Sequence, residues 1–188
     1  MAILLVVKNM APNQLTFLKI MRELILTFFY SGKFPKAPGT AGSLASVAFW
    51  FYTSKFFLSH EIALATQNIF WGIFLISAFI YGCIASPTYA KKFGEIDHGS
   101  IVLDEVVGQI FALQITFLFL HENYFSQPKI IFTHLIFCFV LFRFFDIKKP
   151  SFIGYCDRKF KNGFGVMFDD LVCGIITALI GVCVIKFF

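Results

Sequence analysis

Long apolar runs alternate with short polar segments along the whole chain. A helix that crosses a bilayer needs about 20 consecutive, mainly apolar residues, and five runs come close to that length. The first of these runs has the shortest uninterrupted apolar part. The pattern therefore predicts an all-α integral membrane bundle of about four to five transmembrane helices, with crossings at 39–58, 62–85, 101–120, 130–147 and 170–187.

The segment before the first run has a different pattern. An apolar stripe at helical spacing spans residues 15–29, and charged side chains interrupt it. Such a helix suits the membrane–water interface better than a crossing. We therefore predict an interfacial segment at 1–30 and a helical bundle at 31–188, which together form one domain. The stripe consists of Phe17, Met21, Leu24 and Phe28.

Composition agrees with a membrane protein and excludes a soluble enzyme. Hydrophobic residues make up 58% of the chain and charged residues 14%, with a mean hydropathy of +0.78. A soluble domain usually carries about a quarter charged residues. The net charge of +5 does not indicate nucleic acid binding, because the basic residues lie between apolar runs. The five cysteines show no CxxC spacing, so neither a disulfide framework nor a zinc site is predicted.

The charged residues are distributed unequally between the two sets of helix ends. Of the 16 lysines and arginines, only Lys55, Lys129 and Lys186 fall on one side. The positive-inside rule therefore places the N-terminus and both long loops in the cytoplasm. Of the 11 acidic residues, only Glu61 and Glu122 lie on the outer side. Because acidic residues contribute little to topology, their accumulation indicates a site on the cytoplasmic face.

Two pairs of adjacent acidic residues lie near predicted helix ends. Asp104 and Glu105 fall about one turn inside the third crossing, and Asp169 and Asp170 open the fifth. Charged residues at such positions normally face the bundle interior and serve a function. Adjacent carboxylates repel each other unless a cation neutralises them, and Mg²⁺ prefers carboxylates together with water and phosphate oxygens. We therefore predict a magnesium site; the alternative is solvated helix ends that favour the N-terminal dipole.

Two glycines support a site that is shared between two helices. Gly108 and Gly174 each follow an acidic residue by four positions, on the same helical face. A missing side chain at such a position lets two helices approach closely. The pattern predicts that the two acidic helices pack together and that their carboxylates share a metal.

Basic residues next to the acidic pairs suit a phosphate group. Arg143 lies three residues before Asp146, and Lys149 follows at the end of the same run. Arg158 belongs to the loop that leads to the second acidic pair. Arginine and lysine beside a magnesium ion provide what a phosphate requires, whereas ordinary cytoplasmic anchoring is the alternative for the loop lysines. Asp146 is open to two roles, metal ligand or partner of Arg143.

Two further segments carry candidate chemistry. Residues 35–43 form a rigid turn rich in small residues, in which backbone N–H groups and the hydroxyls of Thr40 and Ser43 could cradle a phosphate. Asp97 and His98 precede the third crossing. They lie seven residues before Asp104 and Glu105, so a helical segment would bring the four side chains close together. His98 could then transfer a proton to a leaving alkoxide.

Several short motifs follow one another along the chain in a regular order. They are GKFP at 32–35, APGTAGSL at 37–44, DHGSIV at 97–102, DE at 104–105, FRF at 142–144, KKP at 148–150, DR at 157–158, GFG at 163–165 and DD at 169–170, with Gly108, Asp146 and Gly174. In this combination, from about residue 30 to the C-terminus, the chain resembles the phosphatidylglycerophosphatase A family.

The resemblance implies a magnesium-dependent bacterial inner-membrane enzyme. It would remove the terminal phosphate of phosphatidylglycerophosphate to give phosphatidylglycerol, with membrane lipids around it and no nucleic acid partner; an oligomeric state is not implied. Together with the residue pattern, the resemblance gives three expected sets of site residues. These sets are Asp104, Glu105, Asp169 and Asp170 as metal ligands, Asp97, His98 and Asp146 as catalytic groups, and Thr40, Ser43, Arg143, Lys149 and Arg158 as substrate-binding groups.

Other classes of protein fit the sequence less well. A haloacid-dehalogenase-type phosphatase needs a DxD motif and phosphatidic-acid-type membrane phosphatases carry a PSGH block, and neither occurs here. The longer acidic signature of CDP-alcohol transferases is not matched either. A divalent-cation transporter needs polar groups near the midplane and on both faces, whereas the outer halves of the crossings are almost wholly apolar. A purely structural subunit would leave the inner acidic residues unexplained.

Overall fold

The computed structural model describes residues 12–95, 98–120, 124–150 and 162–187. These ranges contain six α-helices and no strand, which confirms the predicted all-α fold. In chain order the helices are α1 (Pro12–Leu26), α2 (Pro38–Ser59), α3 (Leu64–Ala90), α4 (Leu103–Phe117), α5 (Pro128–Lys148) and α6 (Gly163–Phe187). Short 3-10 turns lie between them at Ser31–Lys33, Lys91–Phe93 and Tyr124–Ser126.

Three segments are long and apolar enough to cross a membrane. They are Leu64–Phe93, Pro128–Lys148 and Gly163–Lys186, with mean hydropathies of 2.0, 2.1 and 2.2. The class of fold, a helical membrane bundle, is therefore confirmed, while further crossings by α2 and α4 stay a prediction. Because α4 has 15 residues, it is only about 22 Å long, which is shorter than the roughly 30 Å hydrocarbon core of a bilayer.

Helix α4 lies in the middle of the bundle. It packs against α2, α3, α5 and α6, and 11 of its 15 residues are buried. Its side chains Val106, Ile110 and Leu113 belong to one core cluster with Val47 and Trp50 of α2. Since its neighbours shield α4 from lipid, this helix can carry acidic and amide side chains that would be costly on a lipid-facing helix.

Helices α4 and α6 approach each other most closely at two glycines, as predicted. A Cβ atom on Gly108 would overlap the backbone carbonyl of Asp170, and one on Gly174 would overlap the carbonyl of Gly108. Each missing side chain therefore lets one backbone pack directly against the other. This contact fixes the height at which the acidic residues of the two helices face each other.

The helix starts differ from the predicted ones. Helix α6 begins at Gly163, about two turns before Asp170, so the predicted start of the fifth crossing at 170 is wrong. The side-chain oxygen of Asn162 accepts a hydrogen bond from the Gly165 N–H at 3.0 Å, which is the usual N-cap interaction. A Cβ on Gly163 would overlap the Cys83 carbonyl of α3, so the helix start is also held by close packing.

Helix α1 covers most of the segment that carries the predicted stripe and ends before its last residue. Phe17 is 61% exposed, whereas Leu26 is completely buried. The Leu26 carbonyl accepts a hydrogen bond from the Val102 N–H at 3.0 Å, which joins the end of α1 to the segment before α4. Phe28, part of the predicted stripe, lies beyond the helix with a φ of 40°. The interfacial location of α1 stays a prediction.

Candidate functional site

Three carboxylates meet where α4 and α6 face each other. One oxygen atom each from Asp104, Glu105 and Asp170 lies within 4.8 Å of the other two. Asp104 is 7% exposed and Asp170 is 4% exposed. All three therefore present hard oxygen ligands at a spacing that one divalent cation can bridge. The start of α4 at Leu103 places Asp104 and Glu105 in the first helical turn, not one turn inside as the hydropathy suggested.

The chemistry of this acidic cluster fits a cation. The Oε2 atom of Glu105 is buried and has no hydrogen-bond partner among the described residues. The charges of Asp170 and Asp146 both act on Glu105, and those of Asp146, Asp104 and Asp169 act on Asp170. So many buried negative charges need positive charge among them. The donor set, carboxylate oxygens alone, is the set that Mg²⁺ prefers.

Arg143 of α5 supplies part of that positive charge. Its Nη1 atom lies 3.8 Å from Glu105 Oε1 and donates a hydrogen bond to Ser43 Oγ at 3.5 Å. The same Nη1 atom is paired with the Asp146 carboxylate. One guanidinium thus contacts α2, α4 and its own helix. Of the two roles left open for Asp146, the structure shows the pairing with Arg143.

Lys149 and Asp169 form a second ion pair beside the cluster. The Nζ atom of Lys149 lies 2.5 Å from Asp169 Oδ2, and the Asp169 side chain is only 6% exposed. Consecutive helical residues point about 100° apart, so Asp170 faces α4 while Asp169 faces the end of α5. Asp169 was expected as a metal ligand, but the three-carboxylate group found among the described residues does not include it. Its role as a ligand stays a prediction.

The N-terminal turn of α2 closes the site from another side. A Cβ atom on Gly39 would overlap the Glu105 carboxylate and would lie 3.1 Å from Arg143 Nη1. Helix α2 begins with Pro38, so residues 38–43 are helical and not the predicted turn. The start of a helix carries backbone N–H groups without an intrahelical partner, and such a start suits an anion. Ser43 reaches the site through Arg143, and Thr40 is partly buried in the same turns.

His98 lies in the loop before α4 and not on that helix. Its Nδ1 atom is 2.7 Å from Ser100 Oγ, and its ring stacks on Phe93 with centroids 3.8 Å apart. The assumed helical register between His98 and Glu105 is therefore wrong, because α4 begins only at Leu103. The contacts that the structure shows for His98 do not include a member of the acidic cluster. Asp97 and Arg158 lie outside the described residues.

Several polar groups of the bundle were missed by the sequence analysis. Gln109 follows Glu105 by one turn and is completely buried. At the other end of α4, His134 lies between Thr116 and Tyr124, at 2.6 and 2.7 Å. The only sequence signal for these residues was a polar side chain within an apolar run, which also occurs without function.

A buried carboxylate cluster with basic side chains beside it, held between the helices of the bundle, defines a helical membrane protein with a charged interior site. The sequence matches the phosphatidylglycerophosphatase A family over residues 24–185. This match covers most of the chain, and the chain therefore belongs to that family, as its motifs indicated.

Curated relatives agree with this placement. A phosphatidylglycerophosphatase A of Haemophilus influenzae is 35% identical over 158 residues, which cover 84% of this chain and 85% of the relative. The protein of that name from Escherichia coli K12 is 33% identical over 156 residues, 83% of this chain and 78% of the relative. A Bacteroides thetaiotaomicron protein with the provisional name phosphatidylinositol-3-phosphatase is 34% identical over 157 residues, 84% of this chain and 89% of the relative. No solved structure matches at a significant level.

Proposed function

We propose that this protein hydrolyses the terminal phosphomonoester of phosphatidylglycerophosphate and releases phosphatidylglycerol and inorganic phosphate. The observation that carries the proposal is the buried group of Asp104, Glu105 and Asp170 with Arg143 beside it. Membership of the phosphatidylglycerophosphatase A family and the names of two relatives support the same reaction. The site thus combines ligands for a metal with cations for a phosphate.

Asp104, Glu105 and Asp170 are the residues that would hold Mg²⁺. When bound, the ion supplies charge neutralisation for phosphate oxygens and lowers the pKa of a coordinated water. The largely buried surroundings of the cluster favour such a role, because electrostatic interactions are stronger where water is excluded. Asp169 would remain close enough to act on the cluster through its charge.

The cations next to the cluster would bind and orient the phosphoryl group. Arg143 offers a planar set of donors, and Asp146 and Ser43 hold its guanidinium in place. Lys149 is held at the same end by Asp169. Fixed positive groups of this kind stabilise the negative charge that develops on a transferring phosphoryl group. We assign the same task to Arg158 and to the first turn of α2, which contains Thr40.

The leaving glycerol oxygen needs a proton when the phosphorus–oxygen bond breaks. We propose His98 or Asp97 as its source, since both lie shortly before α4 in the sequence, and the first turn of α4 carries Asp104 and Glu105. The Nδ1 atom of His98 is engaged by Ser100 Oγ, which leaves Nε2 for proton transfer. A variant His98→Gln that keeps full turnover across the neutral pH range would exclude this role.

A lipid substrate places the reaction at the membrane surface. We propose a multi-pass protein of the bacterial cytoplasmic membrane with the active site on the cytoplasmic face. The unequal distribution of basic residues supports this orientation, and the named relatives are bacterial. The phosphate would then meet the cluster near the water boundary while the acyl chains stay in the bilayer.

The direct test is phosphate release from phosphatidylglycerophosphate by the purified, detergent-solubilised protein, with and without Mg²⁺. An Asp104→Ala variant serves as the control for the metal site. We expect release that needs both Mg²⁺ and Asp104. Phosphatidylinositol 3-phosphate, the lipid named for the Bacteroides relative, is assayed in parallel. Faster release from that lipid would overturn the proposed substrate, and release without Mg²⁺ would overturn the proposed cofactor.

A further inference from the structure

Beneath the acidic cluster, three buried side chains leave hydrogen-bonding atoms without a partner among the described residues. They are the Oε2 atom of Glu105, the Nε atom of Arg143, and both amide atoms of Gln109. A buried polar atom that makes no hydrogen bond is destabilising, and native proteins rarely retain one. Such atoms in one small region therefore call for a common explanation.

The three side chains belong to one region of the bundle. Gln109 follows Glu105 by four residues on α4, so the two lie next to each other on one helical face. Long side chains on a helix lean towards its N-terminus, and on α4 Glu105 lies in that direction from Gln109. Glu105 Oε1 lies 3.8 Å from Arg143 Nη1. Glu105 is thus one helical turn from Gln109 along α4 and also a neighbour of the guanidinium of α5.

The unpaired atoms are also complementary in type. Glu105 Oε2 is an acceptor, Arg143 Nε–H is a donor, and a glutamine amide offers an acceptor and a donor at once. The Gln109 amide therefore offers both a donor, which Glu105 Oε2 lacks, and an acceptor, which Arg143 Nε–H lacks. A carboxylate or a lysine at this position could satisfy only one of the two neighbours.

Other buried atoms without a partner do not form such a set. The structure shows them at single hydroxyls of Ser54, Ser86 and Thr177 and at the indole nitrogen of Trp71. Within the described part of the chain, Gln109 differs from these because both of its polar atoms are unpaired and because it lies one helical turn from Glu105, the neighbour of Arg143. Its 0% exposure also excludes a role at the surface.

We propose that Gln109 is a positioning residue that holds Glu105 and Arg143 in place through one intervening water. It would fix the direction in which the Glu105 carboxylate presents its oxygens to the cation. The proposal rests on the proposed function, because it assumes that Glu105 binds the metal of the phosphatase reaction. Outer partners of metal ligands typically alter metal affinity by about 10- to 100-fold when they are removed.

The test compares two glutamines on the same helix. Gln109→Met removes the amide and keeps the length of the side chain. Gln114→Met is the matched control, because Gln114 is also buried but accepts a hydrogen bond from Trp50 Nε1 at 2.8 Å and donates to Asn68 Oδ1 at 2.9 Å. Mn²⁺ is the probe, and its binding to the full-length protein in detergent is followed by the electron paramagnetic resonance of the free ion.

We expect Gln109→Met to weaken Mn²⁺ binding by about 10-fold or more. Gln114→Met should lower the unfolding temperature and leave Mn²⁺ affinity unchanged, since it strands Trp50 and Asn68. Wild-type affinity in Gln109→Met would overturn the proposal. If this variant does not fold, Gln109→Asn replaces it, because it withdraws the amide by one methylene; unchanged affinity there would equally overturn the proposal.

A double-variant cycle separates positioning from a general effect on the fold. If Gln109 acts through Glu105, then Gln109→Met should have no further effect on Mn²⁺ affinity in a Glu105→Ala background. Additive losses would overturn the proposed route. The binding measurements need no substrate, so they stand apart from the proposed reaction. Wild-type protein that binds Mn²⁺ in a Gln109-dependent way but releases no phosphate would reject the reaction alone.

Discussion

Buried polar side chains at the two ends of α4 differ in how their hydrogen-bonding atoms are paired. At its first turn, Asp104 and Glu105 join Asp170 in a charged end, where the buried Glu105 Oε2 atom has no hydrogen-bond partner among the described residues. At its last turn, roughly 15 to 18 Å away, neutral side chains form a cluster that is held by hydrogen bonds between its members. This neutral cluster consists of Trp50, Asn68, Gln114, Thr116, Tyr124 and His134.

Within the neutral cluster, Thr116, His134 and Tyr124 form a chain of hydrogen bonds in which each donor meets an acceptor. Thr116 donates its hydroxyl to the Ala112 carbonyl at 2.7 Å, so it accepts from the Nε2–H of His134. The Nδ1 atom of His134 then accepts from the Tyr124 hydroxyl at 2.7 Å. A neutral imidazole provides this one donor and one acceptor. Buried polar groups that are satisfied in this way stabilise a fold, whereas groups left unpaired beside charges indicate a ligand.

The largest effect should follow from a change at the charged end. Asp170→Asn removes one negative charge from the three-carboxylate group and keeps the shape of the side chain. Because a catalytic metal contributes several kcal/mol to stabilising the transition state, we expect the turnover to fall by about 100-fold or more. Initial rates of phosphate release and thermal unfolding in detergent would be measured together. Turnover within a few-fold of wild type would contradict a ligand role.

A smaller but still large effect is expected at Arg143. Arg143→Ala should lower turnover by about 10- to 100-fold, because the guanidinium contacts Glu105, Asp146 and Ser43 at once. Arg143→Lys should restore only part of the activity, since an ammonium cannot reproduce the planar set of donors. Full activity in the lysine variant would show that charge alone suffices at this position.

The sequence was sufficient to predict the class of fold and most of the charged end. Hydropathy located the long helices because crossing a bilayer imposes a length that is visible in one dimension. Gly108 and Gly174 predicted the contact between α4 and α6, because a close crossing leaves no space for a side chain. Arg143 and Asp146 were predicted to share a face from their spacing alone.

Features that depend on packing between distant segments were not predictable. The start of α6 depends on the Asn162 cap and on the contact of Gly163 with α3. Which residue of an adjacent acidic pair faces α4 depends on the rotation of α6, and hydropathy does not report it. The neutral cluster joins residues as far apart as Trp50 and Gln114, and no local pattern connects them.

A change in the neutral cluster should alter stability and spare catalysis. His134→Phe fills a similar volume but leaves the Thr116 and Tyr124 hydroxyls without their partner. Unpaired buried groups of this type cost about 1–3 kcal/mol, so the free energy of unfolding should fall by that amount. Turnover per folded molecule should stay within about two-fold of wild type. A loss of Mg²⁺-dependent activity without a loss of stability would show that the two ends of α4 are coupled.

The smallest effect is expected for a charge pair that lies outside the bundle. Lys33 Nζ is 2.5 Å from Glu23 Oε1, with side chains 46% and 29% exposed. The hydrogen bond that Lys33 donates to Glu23 raises the pKa of Lys33 above its usual 10.5, so the stabilisation is present below pH 10.5 and is lost as the pH rises through the raised value. Because solvent screens exposed pairs, Glu23→Gln should lower the free energy of unfolding by at most about 1 kcal/mol.

Glu23→Gln therefore tests whether an ion pair affects the site at the first turn of α4 through its charge alone or only when it is buried beside that site. The pair has the same chemistry as Lys149 and Asp169, whose carboxylate is only 6% exposed. If burial is decisive, Glu23→Gln leaves turnover and Mn²⁺ affinity unchanged, while Asp169→Asn alters both. Equal losses in the two variants would mean that the net charge of this surface, rather than the buried geometry beside α4, controls the site.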